Sequence, residues 1–148
     1  MSTVNKFEGL EVWKLAGELC KDVFQLTLCE SFSKDFGLKD QIRNSIGSIM
    51  DDIAEGFERD GNRELRQFLS ISKGSFGERR SQLYRAFDQS YLSFEHLERI
   101  SQKTITLGRK VSKLIQYLKT SELKGNKFKP AKPQKQLEPK NPQEQLKP

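Results

Sequence analysis

"IAEGFERDGNREL", residues 53–65, packs four acids, two arginines and two glycines into thirteen positions. It is either a reactive loop or the corner between two helices, and the flanking sequence argues for the corner. Upstream, Leu38, Ile42, Ile46, Ile49, Met50, Ile53, Ala54 and Phe57 recur at steps of three and four, one stripe of a helix over 38–58. Downstream, Leu65, Phe68, Leu69, Ser72, Phe76, Leu83, Tyr84 and Phe87 predict a third helix from Arg63 to Ser90. Between them Gly56 and Gly61 permit a turn and Asn62 suits an N-cap, and Glu55 stands one helical turn from Arg59.

Two further helices complete the pattern. Over 10–29, Trp13, Ala16, Leu19, Cys20, Val23 and Phe24 form one face, and Ser31–Gly37 breaks it, with Gly37 as a turn residue. Leu97, Ile100, Thr104, Leu107, Val111, Leu114 and Leu118 alternate steps of three and four, a coiled-coil-like seam. Four such rods joined by short polar turns predict an all-α fold, an antiparallel up-down-up-down four-helix bundle, over residues 1–122. So slender a bundle leaves Val12, Leu15, Leu26, Ile71 and Ile105 off the main stripes, which favours side-by-side assembly of copies.

The chain has 148 residues and a formal net charge of +6, but the charge is unevenly placed. Residues 124–148 hold seven lysines against Glu138 and Glu144, and all five prolines. The near-repeat "PQKQLEP" (133–139) and "PQEQLKP" (142–148) lies in the same stretch, so 123–148 is predicted to be a disordered Lys/Pro/Gln-rich tail. The proline-free remainder favours long uninterrupted helices. No apolar run reaches membrane-spanning length and no charged-then-apolar leader begins the chain, which predicts a cytoplasmic protein. Cys20 and Cys29 lack metal-ligand spacing and are expected as small core residues of a reducing compartment.

Most site chemistry is missing. The single histidine, His96, has Ser93 three residues before it, so the Glu-x-x-His pairs of a di-iron bundle are absent. A Ser or Cys triad has no second histidine to draw on. Gly74 and Gly77 follow no strand, so they form no phosphate loop. Asp51, Asp52 and Glu55 share a helix face, which keeps a metal-dependent hydrolase as a third-ranked class. The expectation is no enzyme, no cofactor and no small-molecule substrate.

What remains is positive charge. Arg66, Lys73 and Arg80 are spaced by seven, roughly 10 Å apart along a helix, with Arg63 extending the line and Arg79 beside it. Lys127, Lys129 and Lys132 of the tail, with Lys124 and Lys135, add salt-sensitive attraction to RNA or DNA.

Four segments then carry a resemblance: "FEGLEVWKLA" (7–16), "GLKDQIRNSIGSI" (37–49), "IAEGFER" (53–59) and "ELRQFLSISKGSFGE" (64–78). Together they resemble the four-helix-bundle family first known from open reading frames inside intervening sequences of bacterial 23S ribosomal RNA genes. The resemblance implies an antiparallel bundle, a ring-like homopentamer and no enzymatic activity. The superfamily is also similar to the accessory protein of diversity-generating retroelements, which implies RNA or DNA and a reverse transcriptase as partners. Three features depart from the family pattern. Met50-Asp51-Asp52 replaces Pro-Ser-Asn, Glu78-Arg79-Arg80 replaces an acidic stretch, and the Lys-Pro tail is added. The last two point to nucleic acid, bound through Arg63, Arg66, Lys73, Arg79 and Arg80. The competing class is a protein adaptor that binds no nucleic acid.

Overall fold

The computed structural model describes residues 4–59 and 61–123, the side chains of 122 and 123 excepted. Among them there is no strand. A 3-10 turn at Phe7–Gly9 leads into α1 (Glu11–Thr27), α2 (Glu30–Ser33), α3 (Phe36–Glu58), α4 (Asn62–Gly74), α5 (Phe76–Asp88) and α6 (Phe94–Leu123). The all-helical class expected from the periodicity is what forms. The tail, with Lys127, Lys129 and Lys132, lies outside the described residues.

α6 follows its sequence seam closely: all seven residues from Leu97 to Leu118 are buried. Its Thr104 is accommodated because Thr104 Oγ1 donates to the Ile100 carbonyl at 2.9 Å. Ser93 caps the helix, accepting the His96 N–H at 3.1 Å, and leaves His96 exposed at the helix start. α3 buries Leu38, Ile42, Ile46, Ile49 and Ile53, with Met50 and Phe57 packed half-buried against the core.

α1 is a correction. Its buried face is Val12, Ala16, Leu19, Val23 and Leu26. Trp13 and Cys20 are only half-buried and Phe24 is exposed. Nine apolar residues in this segment cover so much of the helix circumference that periodicity alone does not choose the inward side. Val12 and Leu26 are therefore already covered within one copy. Cys29, expected in the core, is exposed.

The break between α1 and α3 is also more structured than the sequence suggested. α2 drives Phe32 fully into the core, where Tyr91 stacks on it at 5.0 Å. Gly37 lies inside α3 rather than in a turn. Asp35 caps α3 instead: its Oδ1 accepts the Leu38 N–H at 3.1 Å, and its other oxygen accepts the Tyr91 hydroxyl at 2.8 Å. These two donors hold the Asp35 carboxyl below its usual range.

At the corner that opened the sequence reading, Glu55 accepts from Arg59 at 2.7 Å. Gly61 precedes α4, and Asn62 is its first residue rather than a side-chain cap. Gly56 is inside α3 and buried, not in the turn. It allows close helix contact: a Cβ there would lie 2.8 Å from Phe68 Cβ and 3.3 Å from Leu65 Cα.

The predicted third helix is broken in two at Ser75, whose φ −103° and ψ 3° leave the helical basin. "GSFG" has weak helix propensity, and Ser75 Oγ donates to the Ser72 carbonyl at 2.9 Å, a local bond that competes with helix continuation. α5 ends with Ser90 at φ 62°. The Tyr91 N–H reaches back to the Ala86 carbonyl at 3.0 Å and the Ser90 N–H to Phe87 at 2.8 Å, the paired bonds of a Schellman end.

α1 packs on α3 and α6, and α4 and α5 bridge α3 to α6, so the long elements enclose one core. Cross-contacts give directions: Gly17 lies near Met50 and Thr27 near Arg43, while Asp22 meets Lys103 and Glu11 meets Lys110. α1 thus runs opposite to both neighbours.

Candidate nucleic-acid interface

The structure divides the five basic residues assigned to α4 and α5. Arg63 and Lys73 are exposed on α4. Arg66 is half-buried and holds a partner. Arg80 is half-buried on α5, and its Nε is buried without a hydrogen-bond partner among the described residues. Because the chain leaves the helical basin at Ser75, Lys73 and Arg80 sit on different helices, and the seven-residue spacing does not carry one straight stripe across the break.

Arg79 is the principal correction. At 4% exposure it belongs to the core. Its Nε donates to the Ser45 carbonyl at 2.6 Å, and Nη2 donates to Ser48 Oγ at 2.7 Å. Nη1 reaches Ser75 Oγ and, at 3.4 Å, the Ser72 carbonyl. The guanidinium also lies 5.7 Å from the Phe76 ring centre. Arg79 is therefore committed to tying the α4–α5 break to α3, and is withdrawn from the contact set. Beside it Ser45 Oγ donates to Gln82 Oε1 at 2.6 Å, so a buried polar node spans α3, the break and α5.

The node perturbs its acids and bases. Burial lowers the Arg79 pKa, with Asp52 and then Glu78 opposing that fall. Burial raises the Asp52 carboxyl, while Arg79 pulls it back down. Asp51, Asp52 and Glu55 do not converge: among the described residues no group of three or more His, Cys, Asp or Glu side chains is placed to hold a metal ion. On the other side of α3, burial and then the Asp51 charge push the Cys20 thiol up to about 11, which keeps it a weak nucleophile at neutral pH.

Sequence reasoning passed over Ser45, Ser48, Ser75 and Gln82 as functional parts of this node. A signal existed for Arg79. Residues 65, 69, 72, 76, 79 and 83 keep the core spacing, so Arg79 stands where an apolar residue is expected and must be satisfied from within.

Among the described residues no helix is long and apolar enough to cross a membrane. Comparison with known families matches residues 8–113 to the family described as 23S rRNA-intervening sequence protein. Comparison with curated proteins yields no match.

Proposed function

This chain belongs to the 23S rRNA-intervening sequence protein family, and from that membership we propose a non-enzymatic, cytoplasmic, homo-oligomeric bundle that binds RNA or an RNA–protein complex. In this reading α1, α3, the α4–α5 pair and α6 are the four rods of an up-down-up-down bundle, and five copies form a ring. Each copy presents Arg63 and Lys73 outward from the third rod, with the half-buried Arg66 and Arg80 on the same rod, aided by Lys127, Lys129 and Lys132. Modest faces repeated around a ring act together, so avidity replaces one strong site. The observation that carries the reading is the pair of exposed cations Arg63 and Lys73 on α4, which phosphate oxygens would meet from solvent.

The test is charge reversal of Arg63, Lys73 and Arg80 in one chain. RNA retention should vanish at moderate salt while native mass spectrometry still reports the parent oligomer. Unchanged retention removes α4 and α5 from the interface.

A protein partner, such as the reverse transcriptase of a retroelement, is the second reading, and one observation favours it: Ile71 on α4 is 69% exposed. Salt separates the two. Phosphate contacts weaken steeply between low and moderate salt, whereas an apolar interface is nearly indifferent.

A further inference from the structure

The faces of α1 and α3 that share a boundary at Phe24 and Arg43 carry an arrangement that the basic third rod does not explain. Lys21 and Phe24 on α1 and Leu28 just past its end follow one another at i, i+3 and i+7, and Phe36, Lys39 and Arg43 do the same on α3. Each set therefore lies on one side of its helix. Phe24, Leu28 and Phe36 are among the large apolar side chains left exposed, Phe36 at 67% and Phe24 at 47%. Each phenyl ring carries a cation: the Arg43 guanidinium is 4.2 Å from the Phe24 ring centre, and Lys39 Nζ is 4.9 Å from that of Phe36. Arg43 is fixed in place because its Nε donates to Thr27 Oγ1 at 2.7 Å. That bond leaves its terminal nitrogens directed at no described partner.

We propose that this α1–α3 face binds unpaired nucleic-acid bases, with Phe24 and Phe36 as stacking platforms and Lys21, Lys39 and Arg43 as phosphate contacts. Aromatic rings interleaved with bases are what single strands require, because every base has a flat face and every linkage a negative charge. The rungs are close enough for this: Phe36 and Arg43 stand seven residues apart on α3, about 10 Å along its axis, a distance that an extended strand covers within two nucleotide steps. Asp40, four residues after Phe36 and three before Arg43, stands exposed on the same side of α3, one carboxylate beside Lys21, Lys39 and Arg43. Of the other nearby acids, Glu30 pairs with Lys34, and Asp22 is turned to Lys103 and Arg99 of α6. A second copy of the chain is the less suitable occupant, since docking an apolar surface here would strip water from three cations with Asp40 as the acid on that side of α3 to offset them.

The inference rests on the nucleic-acid reading above but assigns a separate face and an unpaired target. The probes are fluorescent dT12 and rU12, titrated against the full-length chain by anisotropy, with a structured RNA hairpin as the parallel ligand. Phe24→Ala and Phe36→Ala should each weaken both 12-mers by roughly tenfold, and Phe36→Trp should hold or tighten them. Phe94→Ala, an exposed ring with no cation set against it among the described residues, should change nothing. Hairpin retention, which the third rod governs, should survive in the Phe24→Ala/Phe36→Ala double variant. Circular dichroism and native mass spectrometry of that variant must match the parent. Binding of the 12-mers that ignores both rings overturns the inference while hairpin binding keeps the third-rod reading standing. Loss of the parent oligomer in the double variant overturns it by making the face a contact between copies. A parent chain that binds neither hairpin nor 12-mer sinks both readings.

Discussion

Replacing Arg79 with alanine separates the two roles that its position and its charge suggest. The structure gives its guanidinium two short bonds to α3, at 2.6 Å to the Ser45 carbonyl and 2.7 Å to Ser48 Oγ, and bonds to Ser75 and Ser72 at the helix break. Removing the side chain leaves Ser48 and Ser75 hydroxyls short of a donor in a buried site. It also strips Asp52 of its neighbouring cation and opens a cavity beside Phe76. Deleting one partner from a buried charged network costs about 3–5 kcal/mol. The lower end applies here, since Ser45 O keeps the Ser48 hydroxyl at 2.7 Å and Asp52 is not fully enclosed. The expected loss is thus about 3 kcal/mol, a fall of about 1–2 M in the urea midpoint for a typical slope. Arg79→Met keeps most of the volume and no longer desolvates a charge, so it should lose only about 1 kcal/mol. Both are read by far-UV circular dichroism at one protomer concentration, because assembly shifts apparent stability. If alanine moves the midpoint by less than about 0.3 M and yet abolishes RNA retention, Arg79 faces a partner and the buried-node argument is wrong.

Three further outcomes follow from the same geometry. Gly56→Ala should destabilise by about 1–3 kcal/mol, since its Cβ would meet Phe68 Cβ at 2.8 Å and α3 and α4 would have to part; a melt identical to the parent would contradict that close approach. Ser90→Gly should stabilise by about 1 kcal/mol, because φ 62° is disfavoured for serine and open to glycine; a lower melting temperature would contradict it. Asp52 has a raised folded pKa, so the folded state binds its proton more readily than the unfolded one, and stability falls as pH rises through that pKa. Asp52→Asn should therefore gain on the parent at neutral pH, and the gap should close as pH falls below 3.8, the carboxyl's ordinary value. Equal pH–stability curves for variant and parent would refute the burial argument.

α6 was legible residue by residue because a seam repeating every seven positions leaves one inward face and no competitor. α3 was nearly as clear. The corner at 53–65 joins two helices, as its flanks imply, but Gly56 is no turn residue, since its use is the close passage of Phe68 from the next helix. α1 was misoriented because apolar residues occupy most of its circumference, and only the placement of α3 and α6 decides which are covered. The basic residues could be counted from sequence but not sorted into those that face outward and those that do not.

The sequence by itself determined that this chain is helical, that its helices are two-sided, and roughly where they start and stop, because spacing and propensity are local properties. Only the tertiary structure decided what Arg79 does. A cation can occupy a core position when acceptors from distant parts of the chain surround it, and Ser45 and Ser48 lie more than thirty residues away. No local pattern encodes that meeting; it exists only once α3 packs against the break between α4 and α5.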